Sequence, residues 1–136
     1  MFTLSSKLSG SYNSAEIGIQ LYKEEYGEKN IFVCDSHSAS CGETQLAYKA
    51  AEWSEEGLPF EEICRKLIEY RDQMNTYFVL DNLETLRKNG RLTGVKALVA
   101  STLSIKPVMG ANAGEIIQLG QAIGIKKALA KMAETV

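Results

Sequence analysis

The sequence predicts an α/β fold in its first part and an α+β fold in its second. Strand-like and helix-like segments alternate over residues 1–80, which is the signature of a parallel sheet. Helices plus one hairpin-like pair occupy residues 82–136. The fully apolar run Ile31–Cys34 is the third sign, because a strand buried on both faces needs no alternation.

Taken in order, Met1–Leu4 is apolar or β-branched and ends a strand. Asn13–Tyr26 is helical, with Ile17, Leu21 and Tyr26 near one face and Gly27 as its stop. Asn30–Asp35 is a buried strand. A helix follows with Leu46, Ala50 and Trp53 as its stripe, and Gly57 and Pro59 close it. Phe60, Ile63, Cys64, Leu67 and Ile68 mark the clearest amphipathic helix. Thr76–Leu80 reads as a further buried strand. Asn82 caps the short helix LETLRKN, and Gly90 ends it. Another helix is expected from Thr93 or Gly94, with Val95, Leu98, Val99 and Leu103. Ser104–Met109 is a strand that Pro107 marks as an edge or an end. GANAG is a turn, EIIQLGQAI a second strand with a bulge-prone Gly120, and IKKALAKMAETV a terminal helix. The division into domains is expected between residues 81 and 82.

Composition narrows the function. The chain has 136 residues, 45% of them hydrophobic, enough to bury a core. The net charge is −2 with scattered Lys and Arg, which disfavours nucleic acid and anionic membrane surfaces. Cys34, Cys41 and Cys64 form no CxxC and there is one His, so neither a disulfide scaffold nor a structural zinc site is expected. No signal-peptide pattern and no apolar run of about 18 residues is present, which suits a cytoplasmic protein without a membrane span. No cofactor is expected.

Three segments carry polar groups in a suggestive order. TLSSKLSGSYNSA sets Ser5, Ser6, Ser9 and Gly10 between a strand end and a helix start. Amides at a helix start, with hydroxyls beside them, can hold an anionic head group. Serines there also serve as plain caps. No Walker A ending and no GxSxG elbow is present. DSHSASCGE repeats the construction after the next strand, and strand carboxyl ends line the ligand crevice of open α/β sheets. An Asp35–His37–serine triad is disfavoured, since Asp35 and His37 are too close in sequence to face each other freely. RKNGRLTG places Arg91 after a left-handed Gly90, where it suits a phosphate, a carboxylate or a tie between domains.

SSKLSGSYNSA, FVCDSHSASCGETQLAYKAAEWSEEG, YFVLDNLETLRKNGRLTG and LSIKPVM, in this order, resemble the DegV family of bacterial proteins. The resemblance covers nearly the whole chain. It implies a two-domain protein that binds a long-chain fatty acid, with hydroxyls on the carboxylate and an apolar tunnel for the tail. It also implies, for some members, presentation of the carboxyl group to a separate fatty acid kinase subunit. Such a protein is a carrier and not an enzyme. Family members are about twice this length. The chain is therefore expected to be the C-terminal part of the first domain, 1–81, and the start of the second, 82–136. An incomplete sheet would leave an edge open to self-association.

The resemblance puts Ser5, Ser6, Ser9 and Gly10 on the head-group loop and Ser40 and Gly42 on the second loop. Gly90 and Arg91 match the family's GR corner. Ser11 stands for a usual threonine, Cys41 for methionine, Thr44 for glycine and Ile123 for a later arginine. Leu98, Val99, Leu103, Ile105 and Val108 are candidates for the tunnel wall or for ordinary core. Buried methylenes at about 0.8 kcal/mol each would supply most of the affinity for a long acyl chain. The rival readings are a small hydrolase or phosphotransferase using Ser5 or Ser6, and an interaction module without a ligand.

Overall fold

A computed structural model describes residues 1–91 and 104–136. The helix expected from Thr93 or Gly94 lies outside the described residues, as do Leu98, Val99 and Leu103. The chain divides into two compact units, Met1–Met74 and Asn75–Val136. Residues 77–79, read from the sequence as part of a buried strand, lie in the second unit.

The first unit is α/β. Strand β1 (Phe2–Thr3) pairs in parallel with β2 (Cys34–Asp35), in the register Phe2↔Cys34 and Thr3↔Asp35. Helix α1 (Ser11–Tyr26) connects them, and α2 (Cys41–Glu55) and α3 (Phe60–Gln73) follow. The paired part of β2 is shorter than the apolar run suggested, and Ile31 is exposed. Cys34, Leu46 and Leu67 form the buried centre. Phe2, Phe32, Trp53, Ile63 and Tyr70 pack round it, with Trp53 and Tyr70 edge to face at 6.3 Å. The amphipathic face of α3 thus does what its spacing predicts.

Helix ends follow local chemistry. Gly27, at φ +77°, ends α1 and donates to Lys23 O. Gly57, at φ +82°, donates to Ser54 O while Leu58 N reaches Trp53 O at 3.0 Å. That pair of bonds is a Schellman motif, which needs a left-handed residue and so favours glycine.

The second unit is an antiparallel sheet in the order β3–β4–β5 with a short helix and a terminal helix. Its elements are β3 (Tyr77–Val79), α4 (Glu84–Lys88), β4 (Ile105–Asn112), β5 (Glu115–Ile123) and α5 (Ile125–Thr135). The hairpin turn is tighter than GANAG. Only Ala113 and Gly114 bridge the strands, at φ +46° and +83°, as a two-residue turn of this twist demands. A bulge sits beside Gly120: Val108 faces Gly120 while Met109 faces Gln118, so Leu119 is the extra residue. Pro107 lies in the central strand and not at the sheet's edge, yet β3 pairs only from Val108 to Gly110. Among the described residues, β4 therefore has one neighbour at Pro107, and the missing N–H costs no ladder bond on the β3 side.

Candidate functional site

The candidate site is built where β1 and β2 end. Both strands run into serine-rich loops, and the two loops are stitched together by their backbones. Ser36 N donates to Thr3 O at 3.2 Å, and Ser5 N donates to Ser38 O at 2.9 Å. Ser5 O then accepts from Leu8 N and Ser9 N, which winds the first loop into a turn ahead of α1.

Asp35 joins the loops a second time. Its side chain is nearly buried, and Oδ1 accepts from Ser6 N at 3.0 Å and from His37 N at 3.2 Å. Burial alone pushes the carboxyl up. The Ser6 hydroxyl, the two amides and the neighbouring His37 outweigh burial and hold it below its usual range. Asp35 is therefore an ionised clamp at neutral pH.

The serines divide into inward and outward groups. Ser5 is wholly buried, and its Oγ accepts from Lys7 N at 3.2 Å. The tight turn faces it inward. Ser36 and Ser38 are also buried: Ser36 Oγ donates to Ser38 O at 3.0 Å and accepts from Ser38 N at 3.1 Å. Ser6 is exposed and Ser9 half-buried, with Ser9 Oγ accepting from Ser11 N at 3.2 Å. Gly10 is the N-cap of α1 and offers no side chain to the first turn. Ser11 Oγ is buried with no hydrogen-bond partner among the described residues.

The second loop carries strain that the first does not. His37 and Ser40 both have positive φ, at +51° and +53°. Such conformations persist in non-glycine residues only where the surroundings enforce them. At Ser40 the exposed chain turns into α2, and Glu43 Oε1 reaches back to Ser40 N at 3.0 Å. This is the acidic arm of a capping box. Gly42 is required by close approach. A Cβ there would stand 2.1 Å from Ser38 Oγ.

His37 does face Asp35, contrary to the expectation from their spacing, because its left-handed backbone turns the ring back. His37 Nε2 is 3.9 Å from Asp35 Oδ2, and Nδ1 is 3.9 Å from Asp72 Oδ1. Arg71 Nη2 pairs with Asp72 at 2.8 Å, and Nη1 donates to Asp35 O at 3.4 Å. Ser5 Oγ accepts from a backbone amide, and the Ser6 amide donates to the Asp35 carboxylate. Cys34 is buried, which pushes its thiol up and leaves it inert; Cys41 is exposed at the start of α2.

Arg91 belongs to the second unit. Gly90, at φ +67°, donates to Arg87 O while Arg91 N reaches Leu86 O at 2.9 Å, a second Schellman closure. The corner is as the sequence suggested, with Glu84 N capped by Asn82 Oδ1 at 3.2 Å. The exposed Arg91 guanidinium donates to Asn89 O.

The first unit also holds an apolar cleft of about 280 Å³, lined by Phe2, Ile31, Phe32, Phe60, Ile63 and Leu67 among others. It lies at the strands' entrances, and neither serine loop contributes to its wall. Of the expected tunnel-wall residues, Val108 is buried in β4 and Ile105 is half-buried. Among the described residues, no helix is long and apolar enough to cross a membrane, and no cluster of His, Cys, Asp or Glu suits a metal ion.

Asp35 and the buried Ser36–Ser38 pair were missed as site-builders in the sequence. The capping box was visible there as S-x-x-E, Ser40 to Glu43.

Comparison with known proteins covers the whole chain. A family model described as an uncharacterised protein of the DegV family matches residues 1–136. A DegV domain-containing protein of Clostridium perfringens is 36% identical over 126 residues, which are 92% of this chain and 43% of that one. The chain spans about half the length of the curated relatives it matches. A DegV family protein of Ruminococcus gnavus, solved with vaccenic acid, is 54% identical with a TM-score of 0.93, over 98% of this chain and 48% of that chain. The fatty acid kinase B3 protein of Streptococcus pneumoniae, loaded with linoleic acid, is 32% identical with a TM-score of 0.86, over 98% and 48%. With the family model matched over its full length and a solved relative superposing over 98% of it, the chain belongs to the DegV family.

Proposed function

We propose that the chain is the part of a fatty-acid carrier that meets the lipid head group, and that it performs no chemistry of its own. The observation that carries this reading is the turn at the start of α1. Ser6 and Ser9 reach the surface there, Gly10 leaves the helix's first turn without a side-chain cap, and Asp35 holds the whole turn still. A fixed set of hydroxyls and amides recognises one small polar group. The structures of relatives with vaccenic and linoleic acid support a fatty acid as the molecule that bears it.

In this reading Ser6, Ser9 and Gly10 meet the head group, and Ser5 shapes the loop beneath them. Ser40 borders the site, and Gly42 lets Ser38 pack tightly under it. The affinity comes mainly from the acyl chain, at about 0.8 kcal/mol per buried methylene. Arg91 supplies an anion-binding cation in the second unit. The carrier presents its acid to a separate kinase subunit, a role supported by the kinase B3 relative.

Protein expressed in bacteria, extracted with organic solvent and examined by mass spectrometry, should release close to one long-chain fatty acid per chain. Release of none would contradict the reading. A hydrolase using Ser6 would be labelled by a serine-reactive phosphonate; a carrier serine, lacking a general base, should stay unlabelled.

A further inference from the structure

His37 is the chain's one histidine, and its ring stands between carboxylates of two different elements. Nε2 is 3.9 Å from Asp35 Oδ2 on β2, and Nδ1 is 3.9 Å from Asp72 Oδ1 on α3. A neutral imidazole has one N–H to donate, and an ionised carboxylate can only accept. A neutral ring therefore leaves one carboxylate facing a lone pair. A protonated ring has an N–H and a share of positive charge for each. The backbone sets the ring in this place: φ at His37 is +51°, and its amide donates to Asp35 Oδ1 at 3.2 Å.

Asp35 links the ring to the head-group loop. Its Oδ1 also accepts from the Ser6 amide at 3.0 Å, while Oδ2 faces His37. Resting on the fatty-acid reading above, we propose that His37 is a proton-operated latch. Charged, it ties Asp35 to Asp72 and stills the loop that meets the lipid. Binding is tightest with the ring protonated and weakens as pH rises through its titration. The distances suit such a device. A separation of 3.9 Å is that of an ion pair and beyond a hydrogen bond, so the neutral ring holds neither carboxylate firmly.

The other titratable and charged groups of the region are these. On α3, Arg71 pairs with Asp72 at 2.8 Å and touches the Asp35 backbone carbonyl rather than its carboxylate. On α1, burial and the charge of Glu16 push the Tyr12 phenol up, so it stays neutral at physiological pH. On β2, burial likewise pushes up the Cys34 thiol. At the start of α2, Glu43 accepts from the Ser40 amide at 3.0 Å. Among these side chains, histidine is the type that ordinarily titrates between about pH 5 and 8.

The test is the affinity of a fluorescent fatty acid for the full chain and for His37→Gln across that pH window, with the single imidazole of the wild type followed by proton NMR. The ratio of the two affinities at each pH removes the probe's own ionisation. The wild type should bind about fivefold more tightly than His37→Gln below the imidazole midpoint and equally well above it. The change in the ratio should be centred on that midpoint. A ratio that is constant with pH overturns the proposal, and so does a change centred elsewhere. Should His37→Gln fail to fold, Asp72→Asn, at an exposed carboxylate, serves in its place. It should bind more weakly than the wild type below the midpoint and equally well above it; a constant ratio again overturns the proposal. Absence of binding by the wild type at every pH would instead overturn the fatty-acid reading itself, and this proposal with it.

Discussion

The two serine-rich loops look alike in sequence and behave differently in space. Ser5–Gly10 and Ser36–Gly42 each follow a strand, crowd hydroxyls together and lead into a helix. The second loop turns Ser36 and Ser38 inward, bends through two left-handed residues and closes its helix with Glu43. It is a support. The first loop buries only Ser5, brings Ser6 and Ser9 to the surface and leaves its helix capped by a bare glycine. It is the surface proposed for the ligand. One carboxylate on the second strand separates the two roles, because it holds the first loop from below.

That contrast is broken most severely at Gly42. Gly42→Ala would drive a Cβ against the buried Ser38 and should cost about 3 kcal/mol, read as a lowered denaturation midpoint. Pairing it with Ser38→Gly should recover much of the loss. Stability unchanged by Gly42→Ala would show that the second loop is not packed as described.

Asp35→Ala removes the clamp and leaves two loop amides without their acceptor. It should cost about 2 kcal/mol in urea unfolding, and it should loosen the first loop as seen by amide exchange at Ser6 and Lys7. Asp35 also gives the fold a pH dependence with a definite sign. A carboxyl held below its usual range stabilises the protein above that range, and the contribution is lost as pH falls through the lowered folded value. Acid unfolding of Asp35→Asn should therefore be shallower than that of the wild type.

Ser36→Ala deletes a hydroxyl that both donates to and accepts from Ser38. About 1 kcal/mol of stability should go, with little effect on lipid binding beyond it. Ser9→Ala in the first loop should reverse the ratio, with a stability change of about 0.5 kcal/mol in a melt and a clear loss of lipid affinity. If both serines affected stability and binding alike, the division of labour between the loops would fall.

Helix positions were legible in the sequence because glycine and proline punctuate them. Gly27, Gly57, Pro59 and Gly90 stand at or beside the stops they were read as. The Phe60–Ile68 stripe gave the packed face of α3 for the same local reason. Strand partners were less legible. TYFVL reads equally well as a parallel or an antiparallel strand, and only its partner, Val108–Gly110, decides. The site was legible as two polar loops but not as a clamp and a surface. The bond from Ser6 to Asp35 spans 29 residues, and no local pattern encodes it. Nor does composition say which of several neighbouring serines turns inward; the turn closed by Ser5 O does that.

The head-group loop is tested most directly by the affinity of a fluorescent fatty acid for the wild type and for Ser6→Ala, with thermal melting measured on the same samples. A fall in affinity of about fivefold, with the melt unchanged, is what a surface hydroxyl meeting the head group predicts. Equal affinity in the two proteins, with both melts intact, would contradict it.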